Sequence, residues 1–219
     1  MSGAGAEIPT QHDDSPTRST ALETVARRER MVAAAVELAT AGGYDAVQMR
    51  DVAARAEVAL GTLYRHYPSK DHLLLAALTE QAEGLRERIA QRPPEGVDAA
   101  TRTGDVLRRA SRALARRPQL TAALVTALTA PEPDTAEAKH CVESVLRGII
   151  TSAVDGATLA DPDGTVRTLG YVWLAVLSAW VGGTLDEHEM ADDLDTAARL
   201  LLTDRTTDRT TDRTTDRTT

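Results

Sequence analysis

Ser69 and Lys70 stand where a helix is expected to begin. Serine is a good N-cap, because its hydroxyl accepts from a free backbone N–H of the first turn. A lysine directly after the cap lies at the positive end of the helix macrodipole, where a cation is unfavourable. A DNA phosphate removes the conflict, since it accepts from the helix N-terminus and from the ammonium together. The pair therefore reads as a phosphate anchor, set against the plainer reading of a solvated lysine. Gly61 falls inside a short helix, where glycine costs roughly 1 kcal/mol relative to alanine. Close approach to DNA accounts for it, and so does a position near the helix start. Residues for catalysis are not evident. The chain has no Walker A loop, no G-x-S-x-G and no H-E-x-x-H. Its single cysteine, Cys141, forms no pair for a metal or a disulfide and reads as a small core residue. His66 and His72 are six positions apart, which does not bring them together on a helix face, and His188 stands alone beside acids. No enzyme activity, cofactor or metal is expected.

These residues need helices to position them. Thr20 and Glu23 form a T-x-x-E capping box, followed by a helix to about Ala41 with Val25, Val32, Val36 and Ala39 on its buried stripe. Gly42-Gly43 ends it. A second helix is expected over about 50–56, a turn at Glu57 and Val58, and a third helix over about 59–65, stopped by Tyr67-Pro68. Three short helices with a tight turn between the last two describe a helix-turn-helix. A fourth helix, 69–92, repeats Leu74, Leu78, Leu85 and Ile89 at helical spacing. Further helices are expected at about 99–116, 118–130, 134–155 and 164–181, with Pro118, Pro131, Pro133 and Pro162 at the breaks. A last helix runs over about 187–202. The fold class is all-α, with about nine helices. Residues 1–17 are Gly-, Ser-, Pro- and acid-rich and read as a disordered arm. Residues 18–68 form the helix-turn-helix domain, and residues 69–202 form a second domain joined to it by the 69–92 helix. Residues 203–219 repeat T-D-R-T without an apolar residue and read as a disordered tail.

The formal net charge of −8 looks wrong for a DNA binder, but its distribution matters more than its sum. Residues 18–74 carry eight Lys/Arg against seven Asp/Glu, so the acidity lies outside the helix-turn-helix. Screening acts over about 10 Å, so an acidic body does not forbid local contact with DNA. It does oppose strong non-specific binding. No apolar stretch is long enough for a membrane span and no secretory signal opens the chain, which points to a cytoplasmic protein. Aromatics make up 3 % of the chain, so Leu, Val and Ala must fill the core.

The segment from Val47 to Lys70, V-Q-M-R-D-V-A-A-R-A-E-V-A-L-G-T-L-Y-R-H-Y-P-S-K, resembles the signature of the TetR family of transcriptional regulators almost position by position. That resemblance implies that Leu60, Gly61, Thr62, Tyr64, His66 and Lys70 contact phosphates and groove, and that Gln48 and Arg50 open a helix touching backbone or base edges. Arg50 has the chemistry of a bidentate guanine ligand or of a phosphate clamp. Arg55 and Arg65 read as solvated charge. Two positions depart from the family pattern. Glu57 stands where the turn commonly has Gly, and a left-handed conformation would strain it. Ala59 stands where Ser or Thr commonly caps the recognition helix. The stretches 42–52, 58–65 and 68–74, with Val172-Trp173-Leu174, Ala179-Trp180 and Ala198-Arg199-Leu200-Leu201, are similar to the branch of actinobacterial repressors of steroid catabolism.

The resemblance implies a homodimer that binds a pseudo-palindromic operator in double-stranded DNA. It also implies release by a small apolar effector, steroid-derived or an acyl-CoA thioester. Leu120, Leu124, Leu128, Val142, Leu146 and Trp173 could line an apolar pocket, against plain core for each. Val176, Trp180, Leu194, Ala197 and Leu201 are the expected dimer contacts, against an intrachain core. Arg108, Arg109, Arg112, Arg116 and Arg117 read as a solvated face, with an acidic ligand group as the alternative. The remaining alternatives are a regulator of an unrelated pathway such as efflux or fatty-acid metabolism, and a helix-turn-helix used only for protein contact.

Overall fold

The computed structural model describes residues 15–154 and 156–202. The expected arm over 1–14 and the tail over 203–219 lie outside the described residues. Among those described there are nine α-helices, a 3-10 turn at Pro133–Thr135 and no strand. The helices are α1 Ser15–Ala46, α2 Met49–Arg55, α3 Leu60–His66, α4 Lys70–Gln91, α5 Ala99–Ala115, α6 Pro118–Thr129, α7 Ala136–Val154, α8 Pro162–Val181 and α9 Glu187–Leu202.

The caps set these bounds. Ser69, Asp98 and Asp161 each accept from a first-turn backbone N–H, at His72, Thr101 and Gly164 respectively. α9 opens on a reciprocal box in which Asp186 accepts from the N–H of Glu189 while Glu189 accepts from that of Asp186. Helical geometry in α1 breaks at Gly42 and Gly43, as expected. Gly43 has φ +70, and a Cβ there would lie 3.0 Å from Gln119 Oε1 at the start of α6. Only glycine relieves both constraints.

Four expectations change. α1 already runs from Ser15, so Ser15–Thr17 belong to it and Thr20 is interior rather than a cap. Pro16 does not prevent this, because a first-turn N–H has no helical partner to lose. Val25 is 53 % exposed, because it lines an open groove beside α4 and α7 rather than the core that covers Met31, Val32 and Ala35. Pro162 lies in the first turn of α8 behind the Asp161 cap, not in a break. Pro133 opens the 3-10 turn, so α7 starts at Ala136.

Packing joins the two halves through shared core. Met31, Val32 and Ala35 of α1, Val52 of α2, Leu63 of α3, Leu73 and Leu74 of α4, Leu120 and Leu124 of α6 and Val142 of α7 form one buried cluster. A second cluster holds Leu85, Val106, Leu107, Ile149, Trp173, Leu177 and Leu194. The ends of α7, α8 and α9 close a third around Ile150, Leu169 and Ala198.

α5 and α9 approach so closely that a Cβ on Gly104 would strike the carboxylate of Asp195. That carboxylate is held by Arg108 at 2.6 Å, so it cannot easily yield. Alanine for glycine in a helix normally stabilises by about 1 kcal/mol. Here Gly104→Ala is expected to destabilise by about 1–3 kcal/mol in urea unfolding, as overpacked sites do. Adding Asp195→Ala to Gly104→Ala is expected to cost less than the two single changes together.

Candidate nucleic-acid interface and sensor cavity

Seven residues are too few to hold a helix alone, so α3 is positioned by what packs behind it. Leu63 is fully buried, and Leu60 and Val58 pack partly against the same core. The turn before α3 closes with Val58 N–H donating to Ala53 carbonyl at 3.0 Å. Glu57 does adopt the left-handed conformation, φ 55, a strained backbone for a side chain with a Cβ. Ala59 supplies no side-chain cap. On the α1 side, Arg30 Nε donates to Ala56 carbonyl at 3.4 Å.

With Leu60 and Leu63 turned inward, the opposite face of α3 presents Gly61, Tyr64 and Arg65 at i, i+3 and i+4. Tyr64 is 47 % exposed, and Arg65 is exposed with no ion pair among the described residues. A Cβ at Gly61 would meet nothing within 4 Å, so no contact within the chain requires glycine there. Thr62 is half-buried at the edge. Gln48 and Arg50 are exposed at the start of α2, and the Gln48 amide donates to Asp45 carbonyl at 2.8 Å. His66 is half-buried. Burial first, then the charges of Arg28, Arg65 and Arg27, hold its imidazole toward the neutral form. Of the two arginines read as solvated charge, Arg55 forms an exposed pair with Glu37 at 3.4 Å. Arg65 instead shares the outward face with Tyr64, a grouping visible in the spacing 61, 64, 65.

Lys70 has a built seat. Its ammonium sits 3.7 Å from the centroid of the Tyr44 ring and donates to Tyr44 carbonyl at 3.4 Å. The Tyr44 hydroxyl donates to Asp71 Oδ1 at 2.6 Å, and Asp71 is 6 % exposed. Burial, then this bond to Asp71, pushes the Tyr44 hydroxyl well above the usual phenol range. Tyr44 was not among the residues singled out for function. Its adjacency to Gly43 placed it in a connector, and only the fold brings it beside positions 70 and 71.

The second half of the chain borders two adjoining cavities, both partly open to the surface, and Val36 of α1 joins the wall of one. The larger, about 600 Å³, includes Leu78, Gln81, Leu85, Leu120 and Trp173 in its wall, with Arg88, Arg116 and Arg117 among its polar lining. The smaller, about 270 Å³, includes Leu124, Leu128, Val142, Leu146 and Trp173. All six expected pocket residues therefore line one cavity or the other, and Leu146 and Trp173 line both. The basic run expected on one helix divides, with Arg116 and Arg117 in the turn between α5 and α6. Arg108 binds Asp195, Arg109 binds Asp105 at 2.6 Å, Arg112 is exposed, and Arg116 and Arg117 border the larger cavity without ion pairs among the described residues.

Some of the remaining expectations are corrected. Val176 and Leu194 are buried inside this chain, Leu194 completely, because α9 lays that side on α5 and α8. Trp180, Ala197 and Leu201 are partly exposed, and Tyr171 and Leu200 are exposed on the same two helices. Cys141 is exposed rather than core. No group of three or more His, Cys, Asp or Glu among the described residues could hold a metal.

A helix-turn-helix with an exposed recognition face, carried on a helical bundle that borders apolar cavities, is the architecture of a one-component transcriptional regulator. Residues 31–77 match the model of bacterial regulatory proteins of the tetR family, and residues 96–201 match the tetracyclin repressor-like C-terminal domain. The chain belongs to the TetR family. It is 34 % identical over 180 residues to the HTH-type transcriptional repressor KstR of Mycobacterium tuberculosis, covering 82 % of each chain. It is 37 % identical over 179 residues to KstR of Rhodococcus jostii, covering 81 % of this chain and 84 % of that one. Among solved structures, a TetR transcriptional regulator from Rhodococcus sp. RHA1 superposes with a TM-score of 0.76 at 32 % identity, over 82 % of this chain and 97 % of that one. Thermus thermophilus FadR, a TetR-family repressor solved with lauroyl-CoA, shares the fold with a TM-score of 0.69 at 24 % identity, over 80 % of this chain and 93 % of that one.

Tyr44→Phe would strand Asp71 as a buried carboxylate without its hydroxyl donor. It is expected to lower stability by about 1–3 kcal/mol, measured by urea unfolding. The loss should be largely absent when Asp71 is already replaced by Ala, since the acceptor of that bond is then gone.

Proposed function

We propose that the chain is a transcriptional repressor that binds a pseudo-palindromic operator as a homodimer and leaves it when a small hydrophobic effector occupies the bundle. The observation that carries this reading is the outward face of α3. Gly61, Tyr64 and Arg65 stand free of the chain's own core while Leu63 anchors the helix from behind. A phenol, a guanidinium and an unobstructed backbone suit groove and phosphate contact. Thr62 and His66 flank the face, Leu60 sets its angle, and Gln48 and Arg50 extend it. Lys70, aimed by Tyr44, supplies the phosphate anchor at the start of α4. Work on DNA implies a cytoplasmic location, and no described helix is long and apolar enough to cross a membrane.

The relatives named KstR share most of their length with this chain, which supports repression as the mode of control. The cavities support an amphiphilic effector. Leucines, Val142 and Trp173 suit an apolar body, and Arg88, Arg116 and Arg117 suit an anionic end. A steroid-derived acid or an acyl-CoA thioester has that chemistry. Exposed Tyr171 on α8 and Leu200 on α9 support these two helices as the contact between copies.

Selection of random duplex DNA by the purified protein is expected to enrich an inverted repeat, as a two-fold dimer requires. A folded protein that enriches no sequence at modest salt would return the helix-turn-helix to a protein-contact role. Against the selected site, Tyr64→Ala and Arg65→Ala should each weaken binding by about 1–3 kcal/mol, and Lys70→Ala should reduce the salt slope by about one. Sedimentation should show a dimer for these variants and a shift toward monomer for Tyr171→Glu with Leu200→Glu.

A further inference from the structure

Among the described residues two cations lie over tyrosine rings, and both belong to the helix-turn-helix half. Lys70 over Tyr44 is the anchor described above. The second is Arg28 of α1, whose guanidinium carbon stands 5.8 Å from the centroid of the Tyr67 ring, within reach of a cation–π contact. Tyr67 directly follows α3 and is 5 % exposed, so its ring is a fixed platform. Arg28 is exposed and its neighbour Arg27 is half-buried. Arg27, Arg28 and Arg65 form no ion pair among the described residues.

These three guanidinium groups act on one imidazole. His66, the last residue of α3, feels burial first, then the charges of Arg28, Arg65 and Arg27, and all of them hold it toward its neutral form. The C-terminal end of a helix by itself favours a charged imidazole, so the arginines work against the local dipole. A cluster of like charge is unfavourable while it has no counter-ion. An anion reverses this, because the arginines gain a partner and the imidazole gains a reason to charge.

The chain's own acids do not supply that anion. Glu29 of α1, Glu80 and Glu83 of α4, Asp134 of the 3-10 turn and Glu137 of α7 border the groove that Arg28 and His66 share with His72 and Cys141. Glu80 feels Arg28, but burial, then Glu29 and Glu83, hold it toward its neutral form. His72 is engaged by Ser69 and by Asp134 carbonyl. Arg65 does not line the groove and stands on the outward face of α3. The basic cluster therefore runs from the edge of the groove to the face proposed to read DNA.

We propose that Arg27 and Arg28 form a second phosphate-binding site for DNA besides the one at Lys70, and that His66 completes it by taking up a proton when the phosphate binds. This deepens the DNA-binding reading above and rests on it. α1 then holds the DNA backbone directly as well as supporting α3 from behind. Proton uptake favours the complex as pH falls. The gain begins where His66 is charged in the complex and neutral in the free chain, and it is complete below the free value, which lies under the ordinary histidine range.

The test is binding of the full chain to a selected operator and to an arbitrary duplex of the same length, over a range of salt and pH. Phosphate contacts are independent of sequence, so the arbitrary duplex at low salt reports on the site whether or not an operator is selected. Arg27→Gln and Arg28→Gln should each lower the slope of log affinity against log salt by about one per protomer. Arg28→Lys should restore it, and Arg28→Gln with Lys70→Ala should lower it by about two. A merely structural Arg28 would move the melting temperature and leave the salt slope alone. Wild-type affinity should rise at least about threefold from about pH 8 to about pH 6, since a phosphate that raises the His66 pKa by about one strengthens binding roughly tenfold. His66→Gln should abolish the rise. Unchanged slopes in both glutamine variants overturn the site, as does a chain that binds neither duplex at low salt. An equal pH response in the wild type and His66→Gln overturns the proton uptake. The expected slopes on the arbitrary duplex, with no operator selected, would uphold the site and remove only the sequence-specific reading.

Discussion

One continuous apolar contact governs this molecule: the core shared by α1, the first half of α4 and α6. Leu74 of α4 shares one buried cluster with Met31 and Leu63 of the helix-turn-helix half, and the same cluster includes Leu120, Leu124 and Val142, which border the cavities. A close-packed interior does not deform smoothly. A change in the volume enclosed beside α6 must therefore be taken up by side chains that also seat the head. Gly43 shows how tight the joint is, with its backbone against Gln119 at the first turn of α6. The joint gives the proposed effector a route through packing to the α3 face.

Polar detail is concentrated where that core reaches the surface. Asp71 is buried at the first turn of α4, where the helix macrodipole favours an anion, and Tyr44 satisfies it. The Tyr44 ring then faces the Lys70 ammonium. A cation that the helix end disfavours is thereby held by a carbonyl and a π face. His72, on the same turn, bonds to Ser69 on one side and approaches Asp134 carbonyl at 3.1 Å on the other, tying the start of α4 to the approach to α7. These contacts keep the anchor next to α3 while leaving the outward face of α3 free.

The acidic net charge fits the same division of labour. Part of the charge on the bundle is spent on pairs such as Arg108–Asp195 and Arg109–Asp105, while Arg65 has no ion pair among the described residues. An acidic body opposes non-specific attraction to DNA, which agrees with the proposed role of the α3 face.

Much of this was legible along the chain because it is local. Helix boundaries follow from caps, glycines and prolines within a few residues, so Gly42-Gly43, Ser69 and the Glu57 turn could be placed from neighbours alone. Local rules misled where a signal had two meanings. Pro162 reads as a break and is instead a first-turn residue, and Thr20 reads as a cap inside a helix that had already begun. Contacts between distant segments were beyond those rules. Tyr44 with Asp71, and Arg108 with Asp195, depend on which helices meet. An amphipathic helix states that it has a buried side without stating against what. Val176 and Leu194 looked as fit for a partner as for the chain's own core, and only packing decided between them, because burial is a property of the assembled surface and not of the residue.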